Sequence, residues 1–130
     1  MNIVITRVDH LGIRVADADR SLAFYRKLGF EKVSQPRTEI VILKNLAGVE
    51  INLIVNADPA FDGTNVLMDD GLPKRAGYTH VALRVVSLDE TVRALGELGV
   101  PISDGPVHLG GQRSLFVRDP DRNVVELREG

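Results

Sequence analysis

Four side chains of this 130-residue chain have the chemistry to hold a divalent cation: His10, Glu50, His80 and Glu126. In each half a histidine precedes a glutamate, by 40 residues in the first half and 46 in the second. Each lies in a stretch of alternating polarity, on the face opposite the apolar residues. Glutamate is depleted inside sheets and expensive to bury unpaired, so its presence there asks for a partner. Two neutral imidazoles and two carboxylates neutralise a divalent ion and leave coordination positions for water or substrate. Nitrogen and oxygen donors without sulfur suit Zn, Ni, Co, Mn or Fe(II), and residue type alone does not rank these. Singly, each residue has a plainer reading: a hydrogen-bonded strand histidine, an edge-strand charge at Glu50, a solvated carboxylate at Glu126. Their common placement on matching segments makes them one candidate site.

The segments match because the chain repeats itself. At an offset of 70, Asp9–Ser34 lies under Thr79–Asp104, and His10 falls on His80, Arg14 on Arg84, Asp19 on Asp89 and Gly29 on Gly99. The aligned runs read DHLGIRVADADRSLAFYRKLG and THVALRVVSLDETVRALGELG. Each opens with period-2 alternation, the mark of a strand: Leu11, Ile13 and Val15 against His10, Gly12 and Arg14, then Val81, Leu83 and Val85 against His80, Ala82 and Arg84. A helix follows each strand. Asp17 caps the first, with Leu22, Tyr25 and Leu28 as its apolar stripe. Ser87 and Glu90 form a capping box for the second, with Val92, Leu95 and Leu98 as its stripe. Gly29 and Gly99 stand where a helix ends in left-handed geometry.

Three further strands follow each helix: Glu31–Ser34, Glu39–Lys44 and Val49–Val55, then Ile102–Ser103, Ser114–Arg118 and Val124–Arg128. On Val49–Val55 the apolar face is Val49, Ile51, Leu53 and Val55, and Glu50, Asn52 and Ile54 oppose it. On Val124–Arg128, Val125 and Leu127 oppose Glu126 and Arg128. The expected architecture is α+β, a single domain over residues 1–130, with βαβββ modules at 4–55 and 78–130 and an irregular connection at 56–77. The duplication predicts that the four candidate ligands meet near a pseudo-twofold axis. His108, among Gly and Pro and without a repeat partner, reads as a loop residue.

Composition narrows the function. The balance of 16 Lys+Arg against 18 Asp+Glu gives a net charge of -2 and no broad basic surface for nucleic acid. The absence of Cys excludes a disulfide scaffold, a thiolate zinc site, an iron–sulfur cluster and a thiol nucleophile. No apolar run approaches the roughly 20 residues of a membrane span, and Met1–Arg7 lacks the apolar region of a signal peptide. The expectation is a cytoplasmic enzyme or binder of small molecules, with neither nucleic acid nor membrane as partner.

At these residues the chain resembles the vicinal oxygen chelate superfamily, which contains glyoxalase I, fosfomycin-resistance enzymes, extradiol dioxygenases, methylmalonyl-CoA epimerase and bleomycin-binding proteins. The resemblance is carried by DHLGIRVAD, SLAFYRKLGF, GVEINLI, THVALRV and FVRDPDRNVVELRE. The last is the most specific and is similar to the family's DP-D-G-N-x-x-E-L ending, with Arg122 where Gly is usual. Either Asn123 takes over the positive-φ role of that glycine or the turn is mildly strained.

The resemblance implies paired βαβββ modules forming a cupped mixed sheet around a metal held by His10, Glu50, His80 and Glu126. A ligand at Glu50 makes the set similar to that of glyoxalase I, and Arg14 matches a position that contacts glutathione there. One departure stands: glyoxalase I commonly has Asn four residues past the ligand Glu, and here Ile54 occupies that position, with Asn52 and Asn56 flanking it. The implied activity is a metal-dependent lyase or isomerase of lactoylglutathione lyase type. Glu126 or Glu50 moves a proton between neighbouring carbons through a metal-bound enediolate, with a glutathione–2-oxoaldehyde adduct as candidate substrate. Arg14, Asn52 and Phe116 are candidate substrate-binding residues, and a homodimer is expected. Two other classes compete. An Fe(II) ring-cleavage dioxygenase would use His10, His80 and Glu126 and would not depend on Glu50. A metal-free binder of drugs or metabolites would need none of the four.

Overall fold

The computed structural model describes residues 1–61, 63 and 66–130 of the chain, which divides into two units, Met1–Phe61 and Asp62–Gly130. In the first unit the alternating stretch after His10 becomes β1 (Leu11–Val15), followed by α1 (Ala18–Lys27), β2 (Glu31–Arg37), β3 (Ile40–Lys44) and β4 (Glu50–Val55). The sheet order is β1-β4-β3-β2. The first and last strands of the unit lie side by side and parallel, Leu11 opposite Ile51, while the other pairings are antiparallel. Asp17 caps α1 by accepting the Arg20 N–H at 2.8 Å. The helix buries Leu22, Phe24 and Tyr25 against the face carrying Val41, Leu43, Ile51 and Leu53. Tyr25 is fully buried, with the rings of Phe24 and Phe30 set edge-on to it at 5.0 and 6.3 Å.

The second unit repeats the plan: β5 (His80–Val85), α2 (Leu88–Leu98), β6 (Ile102–Leu109), β7 (Gln112–Arg118) and β8 (Val124–Glu129), in the order β5-β8-β7-β6. Again the first and last strands pair in parallel, Val81 opposite Val125. The Ser87 hydroxyl accepts the Glu90 N–H, and Gly99 closes α2 at φ 69° in the left-handed region. Leu88, Leu95, Val100, Leu115, Val117, Val125 and Leu127 form the core. Both units are βαβββ modules of α+β type, as the repeat predicts.

Three expectations change. The two edge strands are longer than their alternation suggests, reaching Arg37 and Leu109. Register shifts let each resume its pairing, β2 around Ser34 and β6 between Asp104 and Val107, so Pro36 and Pro106 are tolerated on edges. His108 is therefore a strand residue opposite Arg113, not a loop residue. Leu98 stays 41 % exposed, and Leu88 rather than Leu98 completes the buried stripe of α2. At the last turn the structure decides between the two expected alternatives. Asp119, only 3 % exposed, accepts the N–H groups of Asp121 and Asn123 on one oxygen and the Asn123 side-chain amide on the other. Arg122 itself adopts φ 66°, so it fills the glycine position directly rather than passing the role to Asn123.

Beyond these turns, one ion-pair cluster ties α2 to its sheet. Glu129 accepts from Arg113 through Nε at 3.2 Å and Nη2 at 3.1 Å, and from the Leu88 N–H in the first turn of the helix at 2.8 Å. Arg113 also reaches Asp89 at 3.0 Å. The Arg113 hydrogen bonds, then the Leu88 N–H, hold the Glu129 carboxyl below its ordinary range, and the hydrogen bonds to Glu129, then Asp89, raise the Arg113 guanidinium.

Two outcomes are expected. A left-handed non-glycine residue costs roughly 1–2 kcal/mol, offset in part by the greater unfolded-state freedom of glycine. Arg122→Gly should therefore raise stability by up to about 1 kcal/mol in denaturant unfolding, and a β-branched residue there should lower it. Because the Glu129 carboxyl is depressed in the fold, its contribution is complete above the ordinary carboxylate pKa of about 4.3 and fades as pH falls through the folded value. Glu129→Gln should melt below wild type at pH 7, and that gap should narrow below about pH 4.

Candidate metal centre

In the second unit the parallel pairing of β5 with β8 sets Ala82 opposite Glu126, with His80 two residues earlier on the same face. His80 Nε2 donates to Glu126 Oε1 at 2.9 Å. The other ring nitrogen, Nδ1, meets the Thr79 hydroxyl at 2.8 Å. Glu126 is 7 % exposed, and its second oxygen accepts from Ser114 Oγ at 2.7 Å, with Arg128 Nη1 at 3.8 Å. Arg128 also donates to Ser114 Oγ at 3.2 Å, which ties the group together. The carboxylate is thus fixed from one side and presents Oε1 beside the imidazole.

The first unit carries the counterpart. His10 Nδ1 donates to Asp9 Oδ1 at 2.8 Å, and Glu50 Oε2 lies 3.9 Å from the same nitrogen. Lys44 Nζ stands 3.6 Å from Glu50 Oε1. Asp9, His10 and Glu50 each offer a ligand atom within 4.8 Å of the others. The hydrogen bond with His10 holds the Asp9 carboxyl below its ordinary range.

Asp9 and Thr79 are equivalent in the repeat, and each holds Nδ1 of the histidine that follows it. A carboxylate only accepts, so Asp9 keeps the His10 proton on Nδ1 and leaves the Nε2 lone pair for a metal. A hydroxyl both donates and accepts, so Thr79 serves either tautomer of His80. It donates while Nε2–H faces Glu126, and it accepts Nδ1–H once Nε2 is needed as a ligand. This is the outer-shell support that metal-binding histidines use. The donor set therefore fits a hard or borderline divalent cation of the kind expected from the residue types.

The two sheets can be compared pair by pair. In the first, Leu11 faces Ile51, and Asn52 faces Ile42. In the second, Val81 faces Val125, and Glu126 faces Phe116. With Leu11 on Val81, the residue standing where Glu126 stands is Asn52, and Glu50 stands at the level of Val124. Six extra residues in the His-to-Glu spacing of the second half are thus not all taken up in loops. Four are taken up by the longer β6–β7 hairpin, which adds the pairs His108–Arg113 and Leu109–Gln112, and the remaining two are a shift along the strand. Asn52 Oδ1 is buried and has no hydrogen-bond partner among the described residues. The cause is local. Glu126 is braced by Ser114 and Arg128, which face each other across β7 and β8. The matching pair beside Asn52 is Ile40 opposite Ile54, and neither side chain can donate.

Of the other candidates, Arg14 is exposed near the end of β1 and donates through Nε to Asn56 Oδ1 at 2.8 Å. Phe116 is 5 % exposed, its ring 5.8 Å from that of His80. It also borders a cavity of about 390 Å³ within the second unit, walled by Val66, Leu67, Met68, Leu72 and Val124 with Asp69, Asp104 and Arg118 at polar points. Part of the 56–77 connection thus supplies a pocket wall, which composition could not show. Sequence reasoning also missed Asp9, Thr79 and Ser114. The first two had a signal, since each directly precedes a repeated histidine. Ser114 had none beyond its place on the polar side of a strand.

This architecture has known counterparts. The model of the Glyoxalase/Bleomycin resistance protein/Dioxygenase superfamily matches residues 7–127, and the chain belongs to that superfamily. Among relatives, it is 32 % identical over 136 residues to YwkD of Bacillus subtilis, itself uncharacterised, covering 98 % of this chain and 99 % of that one. A virulence protein of Salmonella typhimurium is 25 % identical, over 99 % of this chain and 88 % of its own length. Among solved structures, a glyoxalase family protein from Enterococcus faecalis superposes with a TM-score of 0.75 at 25 % identity, over 95 % of this chain and 97 % of that one. No helix among the described residues is long and apolar enough to cross a membrane.

Proposed function

We propose that the protein is a divalent-metal-dependent lyase or isomerase of glyoxalase I type, acting on a small molecule with two adjacent oxygens. A glutathione–2-oxoaldehyde adduct is the first substrate to try, and Ni, Zn, Co, Mn and Fe(II) the ions. One observation carries the reading: in each module a strand pairing sets a histidine beside an oxygen donor, with the ring oriented through Nδ1 by the preceding residue. The proposed donors are His10, Glu50, His80 and Glu126. A bound ion supplies Lewis-acid stabilisation of negative charge developing on the substrate oxygens.

The protein's own groups divide the remaining work. Glu126 is braced by Ser114 and Arg128 and suits a fixed role. Glu50 is held only by longer ion-pair contacts to Lys44 and His10, so it is free to swing. It takes the proton from the carbon beside the carbonyl and returns it to the neighbouring carbon. Arg14 offers its guanidinium to a substrate carboxylate or amide, and Phe116 gives an apolar wall. The likeness to a metal-free drug- or metabolite-binding protein is the second reading, favoured by the apolar cavity of about 390 Å³ beside Phe116.

Elemental analysis and melting curves separate the two. Chelator-stripped protein should regain a metal near stoichiometry and be stabilised by roughly 2.7 kcal/mol at an ion concentration about 100 times Kd. Glu50→Gln should keep the metal yet lose about 10²-fold or more in turnover. Protein that takes up none of the five ions and gains no stability would refute the metal reading. Metal uptake without turnover of the glutathione adduct would remove that substrate alone.

A further inference from the structure

We propose that Arg84, set beside Arg128, forms an oxyanion subsite on the second unit and takes a carboxylate or phosphate group of the small-molecule ligand. Reading that ligand as a substrate rests on the function proposed above; the subsite itself needs no metal. The strand register puts it in place. β5 and β8 run parallel, with Ala82 opposite Glu126 and Arg84 opposite Arg128. His80, Ala82 and Arg84 alternate with the apolar Val81, Leu83 and Val85, so both arginines share the face of His80 and Glu126. They stand two residues, roughly 7 Å, beyond Glu126 along the strand.

The two cations are unequally provided for. Arg128 donates to Ser114 Oγ and to the Gly110 carbonyl, and has Glu126 Oε2 at 3.8 Å. That carboxylate is already shared with His80 and Ser114. Arg84 is exposed and makes no hydrogen bond or ion pair among the described residues. Two guanidiniums on neighbouring strands, about 4.8 Å apart at the backbone, thus have one carboxylate between them, and like charges side by side repel until an anion joins them.

The first unit shows what the second lacks. There Arg14, the repeat counterpart of Arg84, sits opposite Ile54 and donates to Asn56 Oδ1 at 2.8 Å. Val15 pairs with Val55 and Val85 with Glu129, so Gly130 follows in the order of β8 where Asn56 follows in the order of β4. Gly130 has no side chain to accept from Arg84. A Cβ there would fall 3.1 Å from Arg84 Nη1 and 3.2 Å from its Nε, so the guanidinium lies over the space a side chain would fill. Its planar fork matches the oxygens of a carboxylate or phosphate. A ligand with an oxyanion several bonds from its reacting carbons should therefore bind better than a neutral one of the same shape.

Calorimetric titration of chelator-stripped full chain with inorganic phosphate, at an ionic strength held constant with NaCl, tests the subsite without metal or turnover. Wild type should bind phosphate. Arg84→Met should weaken that binding about fivefold or more, and Arg84→Lys, which keeps the charge and loses the fork, by less. Arg93→Met removes the same charge from an exposed position on α2 and should leave the affinity within about twofold. Acetate titrated in parallel shows which oxyanion the pair prefers, and its binding should also fall in Arg84→Met. Wild type that takes up neither anion, affinity unaltered in folded Arg84→Met, or an equal loss in Arg93→Met would overturn the subsite. None of these results bears on the metal reading, which uptake of the ions decides.

Discussion

The parallel pairing of the first and last strands in each module is the constraint on which the rest depends. It brings residues 40 to 46 positions apart onto neighbouring strands, and the helix between them occupies the opposite face. One side of each sheet is therefore committed to the core under α1 or α2. The other is free to carry polar side chains such as His10, Asn52, His80 and Glu126. Without that pairing His80 and Glu126 would not meet, and Glu126 would keep only Ser114 and Arg128 as partners.

Fold and site were legible to different depths, for physical reasons. The strand–helix units showed clearly because period-2 alternation, caps and terminal glycines all agree at Asp17, Ser87 and Gly99. The edge strands did not, because Pro36 and Pro106 interrupt alternation at positions where an edge tolerates a missing donor. The nearness of His10 to Glu50 and of His80 to Glu126 was readable from residue type and the repeat. The register was not: Glu50 and Asn52 lie on one face, and only the pairing shows that Asn52 stands where Glu126 stands.

Rigidity is distributed unevenly around the site. Ser114, Arg128 and Thr79 pin the His80–Glu126 pair, and Asp9 pins one nitrogen of His10. Glu50 is loosely held. The proposed function assigns the moving proton to the loosely held Glu50 for that reason. The cavity beside Phe116 adds an apolar wall next to the His80–Glu126 pair.

X-ray absorption at the edge of a bound zinc ion addresses the central claim most directly, because it reads donors rather than turnover. The account predicts a first shell of nitrogen and oxygen near the 2.0–2.2 Å range usual for such donors, with outer-shell scattering from about two imidazoles that falls to about one in His80→Ala. A first shell of oxygen alone, or a spectrum unchanged by His80→Ala, would contradict it.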